Sequence, residues 1–93
     1  MLVKLISLDQ RVNGDYILNE VMVNPKHIVM IKEEPSFRRR LKEGTLPSGI
    51  HSEARFSSVL LIESPYRREI VIVGTPAEIE AKIFQKSRQL LRG

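Results

Sequence analysis

Arg38, Arg39, Arg40 and Lys42 set four cations within five residues, preceded by Phe37 and interrupted by Leu41. Two chemistries suit such a run. Cations that neutralise phosphates release counterions, which makes nucleic-acid binding salt-dependent, and guanidinium forks pair geometrically with carboxylates on an acidic protein surface. Arg55 extends the run. From Phe37 to Arg55 these five cations face only Glu43 and Glu53, a local +3 within a chain whose formal net charge is +4. An acidic protein surface is the first expected partner class, and nucleic acid is the alternative. Tyr66-Arg67-Arg68 joins an aromatic to two further cations, the combination found on single-strand-binding surfaces. The chain has three Phe, two Tyr and no Trp, too few for a broad base-stacking platform. Any nucleic-acid contact would therefore lean on backbone charge.

Catalytic and metal chemistry find little footing. His51-Ser52-Glu53 offers a nucleophile beside a base, yet sequence neighbours seldom converge on one reacting atom, and a turn capped by Ser52 accounts for the same residues. Gly44 to Gly49 is rich in glycine and hydroxyls but lacks the Gly-Lys-Ser/Thr ending and the helix that a phosphate-cradling loop needs. The chain has two histidines, His27 and His51, and no cysteine, a poor ligand set for zinc. No catalytic, cofactor-binding or metal residue is assigned, and a non-enzyme without a cofactor is expected. The lack of cysteine also fits a reducing compartment. With no long apolar stretch at the N-terminus or elsewhere, a cytoplasmic protein that does not enter membranes is the expectation.

The elements that must position these residues follow from hydrophobic alternation and turn signals. Leu2 to Leu8 is apolar on both faces, as a central strand is. Asn13-Gly14 supplies a hairpin turn, Tyr16 to Val23 returns with a bulge or a break expected at Asn19-Glu20, and Asn24-Pro25 ends pairing before a strand from His27 to Glu33. Strands are also expected at Ser57 to Glu63 and Glu69 to Val73. Thr75-Pro76-Ala77-Glu78 reads as a capping box opening a helix over 76–92. Ninety-three residues allow one domain. It is expected to be α+β and mainly β: a five-stranded antiparallel sheet or barrel-like unit, a C-terminal helix, and an insertion over 33–56. Within the insertion, Phe37 and Leu41 are spaced to anchor a short helix.

Met1-Leu2-Val3-Lys4-Leu5 with Leu8-Asp9, and Val23-Asn24-Pro25-Lys26-His27-Ile28 followed by Ile31 and Glu33-Glu34-Pro35, resemble the small flagellar FlbD-like proteins. The chain also resembles little domains of phage proteins. The helix from Thr75 to Phe84 resembles the end of that family, whereas the segment from Glu33 to Phe56 has no counterpart in it. The resemblance implies a small cytosolic accessory protein that acts through contacts, with a flagellar role as one reading, and it offers no catalytic residue.

Self-association is also expected. Apolar residues on both faces of the first and third strands exceed what one short helix covers, and a second chain would supply the rest. Ile79, Ile83 and Leu90 form the helix face expected to serve it. The resulting expectation is a regulatory or interaction module whose Arg38, Arg39, Arg40, Lys42, Arg55, Arg67 and Arg68 engage the partner.

Overall fold

The computed structural model describes residues 1–92, with side chains through Lys86. Its strands are β1 (Val3–Gln10), β2 (Tyr16–Val23), β3 (Ile28–Glu33), β4 (Phe56–Glu63) and β5 (Tyr66–Val73). Its helices are α1 (Pro35–Lys42) and α2 (Pro76–Arg92). The strands form one antiparallel sheet in the order β2-β1-β5-β4-β3. The expected mainly-β α+β class is what the chain adopts.

Each turn has a local cause. Gly14 takes φ of 95°, a region open to glycine, and closes the first hairpin by donating to the Arg11 carbonyl at 2.9 Å. The chain then crosses from β2 to β3, which lie on opposite edges of the sheet, through only Asn24, Pro25, Lys26 and His27. Four inter-strand gaps in a flat sheet would separate those edges by about 19 Å, while the five steps from Val23 to Ile28 reach at most about 17 Å when extended. Pro25–His27 is wound into a 3₁₀ turn and reaches less. The sheet must therefore curl. Asn24 sets the turn, its side-chain oxygen accepting from the Lys26 N–H at 3.0 Å and its carbonyl from the His27 N–H at 3.0 Å.

The inner face of the curl holds the main core. Val3 and Leu5 from β1, Val23 from β2, Val59 from β4 and Ile70 and Ile72 from β5 pack with Ile79 of α2, which is 2% exposed. Ile83, one helical turn on, packs against the same cluster. Thr75 caps α2 as expected, its hydroxyl accepting from the Glu78 N–H at 3.1 Å. On the other face lie Leu8, Phe56 and Leu60, also buried. Phe56 is covered there by Phe37 of α1, at a ring-centroid distance of 6.0 Å, and Phe37 meets Tyr16 edge-on at 5.5 Å.

Several expectations change. No break occurs at Asn19-Glu20, because β1 and β2 stay in register from Val3↔Val23 to Gln10↔Tyr16. The irregularity falls between Ile28 and Met30 of β3. β5 begins at Tyr66 and pairs with Glu63, so only Ser64-Pro65 turns the last hairpin, and Arg67 and Arg68 lie in a strand. His27 belongs to the 3₁₀ turn. Ile79 and Ile83, expected to offer a self-association face, are occupied by the chain's own core, since the curl wraps its apolar face around them. Leu90 lies outside the described side chains.

Since Ile79 sits at the centre of this core, Ile79→Ala is expected to lower unfolding free energy by about 2–5 kcal/mol. Urea titration monitored by circular dichroism checks this, and the loss should not depend on protein concentration.

Candidate interaction surface

The insertion between β3 and β4 is an ordered protrusion, held at four points. At its start the Glu34 N–H donates to the Phe56 carbonyl at 2.8 Å, and Pro35 occupies the first helical position, where no amide donor is required. Along α1, Phe37 docks between Tyr16 and Phe56, and Leu41 is half-buried one turn later. At its end the Thr45 N–H reaches the Arg40 carbonyl and the Gly44 N–H reaches the Leu41 carbonyl, both at 3.1 Å. With Gly44 at φ of 77°, this is a Schellman termination. Further on, the Glu53 N–H donates to Nδ1 of His51 at 3.0 Å and the Ala54 N–H to the His51 carbonyl at 2.9 Å. His51, not Ser52, therefore caps this turn. Nδ1 of the ring is thereby engaged in the backbone structure of this turn.

The cations of the protrusion divide by task. Arg38 faces inward, donating to the Ala54 carbonyl at 3.0 Å, the Ser52 carbonyl at 3.5 Å and the Glu53 carboxylate at 3.0 Å. It ties α1 to the returning chain. Arg55 donates to both carboxylate oxygens of Glu33 at 2.6 Å, clasping the two ends of the insertion. That hydrogen bond, aided by the carboxylate's charge, raises the pKa of Arg55 above its already high ordinary value. Arg40 stacks its guanidinium over Tyr16 at 5.5 Å and Phe37 at 5.6 Å. This orients the head without consuming its hydrogen-bond donors. Arg39 and Lys42 are exposed, with no ion pair among the described residues.

Arg67 and Arg68 do not join this group. They sit at the far end of the β4–β5 hairpin, where Ile62 pairs with Arg67, while α1 covers the end where Phe56 pairs with Val73. Six strand residues separate the two levels, about 20 Å. Strand alternation also sends them to opposite faces. Arg67 borders a shallow groove with Met30 and Glu69, and Arg68 borders a larger cleft of about 420 Å³.

That cleft lies on the inner face beside the β2–β3 crossing, with Val21, Leu61 and Ile70 as its floor and Asp9, His27 and Arg68 among its polar lining. Ser7, fully buried there, donates to Asp9 at 3.2 Å, and the Asn19 amide donates to the same Asp9 oxygen at 2.6 Å. Sequence reading did not find this cleft. Ser7 and Asp9 do share a strand face with Leu5, a polar interruption that signals it, but His27 and Arg68 arrive only through the curl. Among the described residues no cluster of His, Asp and Glu is arranged to hold a metal ion, and no helix is long and apolar enough to cross a membrane.

The division of the arginines is measurable. Arg38→Ala should cost about 1–3 kcal/mol of folding stability, because it leaves the Ala54 and Ser52 carbonyls without their charged donor. Arg39→Ala should stay within about 0.5 kcal/mol of the parent. Parallel urea titrations of the two variants check the contrast. Set beside known proteins, the chain matches no protein-family model, no curated protein and no solved structure.

Proposed function

We propose that this protein is a non-enzymatic interaction module that engages an acidic protein surface through Arg39, Arg40 and Lys42 of α1. The observation that carries the proposal is the division of cations on the protrusion. Arg38 and Arg55 are committed to internal bonds, while Arg39, Arg40 and Lys42 are presented on a helix anchored by Phe37. An anchored helix loses little further freedom when it binds, so its charges act as a pre-organised patch.

The compactness of the patch favours carboxylates on a protein over a nucleic-acid backbone. Phosphate tracking draws on cations spread along a groove, and the roughly 20 Å between α1 and Arg67 leaves the two basic zones separate. The reading agrees with the FlbD-like resemblance, which implies an accessory protein working through contacts in the cytoplasm. A flagellar or phage-encoded role is the biological setting that this resemblance suggests.

A direct test titrates a fluorescent glutamate-rich peptide and a DNA oligonucleotide of matched length against the protein at low and physiological salt. The peptide should bind, and the combined Arg39→Ala, Arg40→Ala and Lys42→Ala variant should bind it about tenfold more weakly or worse, about 1.4 kcal/mol, with its circular dichroism unchanged. Preference for the oligonucleotide, with affinity falling steeply as salt rises, replaces this reading with nucleic-acid binding. Binding to neither probe rejects both.

A further inference from the structure

The two edges of the sheet are built differently. β3 is short, carries an irregularity between Ile28 and Met30, displays Lys32, and is hemmed by the 3₁₀ turn before it and α1 after it. Those are the devices by which edge strands avoid pairing with other chains. β2 has fewer of them, only the charge of Glu20 and the 3₁₀ turn that follows its end. From Tyr16 to Val23 it contains no proline and no lysine, keeps unbroken register with β1, and has no strand on its outer side among the described residues. Its outward backbone donors and acceptors must find water or another strand.

We infer that a second copy of this chain pairs there, β2 against β2 and antiparallel, about a two-fold axis at Asn19, so that the two sheets become one. The register follows from the side chains. In an antiparallel pair, opposed residues share a face, so an axis on Asn19 sets Ile17 opposite the partner's Val21 and Tyr16 opposite the partner's Met22. Ile17 and Val21 are half-buried β-branched residues that gain a neighbour. Met22, 56% exposed, gains an aromatic ring, which thioethers favour. The same axis sets Leu18 opposite the partner's Glu20, but the neighbouring registers are worse. An axis on Glu20 would set two carboxylates directly against each other, and an axis on Leu18 would place Met22 opposite Gly14 and Val21 opposite Asp15. The expected self-association thus shifts from the α2 face, which closes the core, to a strand edge. It does not depend on what Arg39, Arg40 and Lys42 bind.

The absence of cysteine from the chain makes the test clean. Asn19 is exposed. Residues directly opposed across an antiparallel pair lie about 4.5–5.5 Å apart at Cα, within the span of a disulfide. Under mild oxidation Asn19→Cys should convert mostly to a covalent dimer, whereas Lys32→Cys on the β3 edge should remain single. Sedimentation of the unmodified chain should give twice its 10.7 kDa mass. A single-chain mass at high concentration, or equal cross-linking of the two variants, overturns the inference. The measurement on the unmodified chain keeps the test decisive even if Asn19→Cys folds poorly through loss of its bond to Asp9.

Discussion

Four residues between Val23 and Ile28 join opposite edges of a five-stranded sheet, and the rest of the structure depends on that short connection. A flat sheet cannot satisfy it, so the strands curl and wrap one apolar face around a central space. α2 enters that space, and Ile79 fills it. The same curl makes a cleft at the crossing, because the helix covers one part of the concave face while the 3₁₀ turn and the last hairpin rim another. Asn24 holds the connection with both its side-chain oxygen and its carbonyl, so a polar residue at a turn governs where the apolar core closes.

The insertion answers a different problem on the opposite face. Phe56 would lie bare on the outer surface of the curl, and Phe37 of α1 covers it while packing edge-on against Tyr16. Once that aromatic group is packed, the arginines near it acquire distinct tasks by geometry alone. Arg38 turns inward to satisfy backbone carbonyls, Arg55 locks the ends, and Arg40 lies across the rings. A run of like charges is thereby tolerated on one short helix, because inward Arg38 has specific acceptors and exposed Arg40 rests on π-faces. The charge that remains outward is smaller and better placed than the sequence total suggests.

Much of the fold was legible locally. Asn13-Gly14, Asn24-Pro25 and Thr75-Pro76 mark chain reversals or a helix start through φ preferences and missing donors, effects that need no distant partner. Alternation along β1 and the 3.6-residue period of α2 are likewise local, as is the Phe37–Leu41 spacing that anchors α1. Asn19-Glu20 misled because two polar residues in a strand resemble a break. There, Asn19 bonds to Asp9 and Glu20 lies 3.8 Å from Lys4, both on the neighbouring strand. Cross-strand partners of that kind are invisible along the chain.

The sequence by itself determined the strand and helix inventory, the anchored short helix and the concentration of positive charge, because propensity, periodicity and capping act over a few residues. Only the tertiary structure decided which arginines are free, which edge strand is open and where the cleft lies. Those properties depend on residues far apart in the chain that the fold brings together: Arg38 bonds to Ala54, Arg55 bonds to Glu33, and His27 and Arg68 line one cavity. The curl imposed by one short crossing brings the last of these pairs to the same cleft.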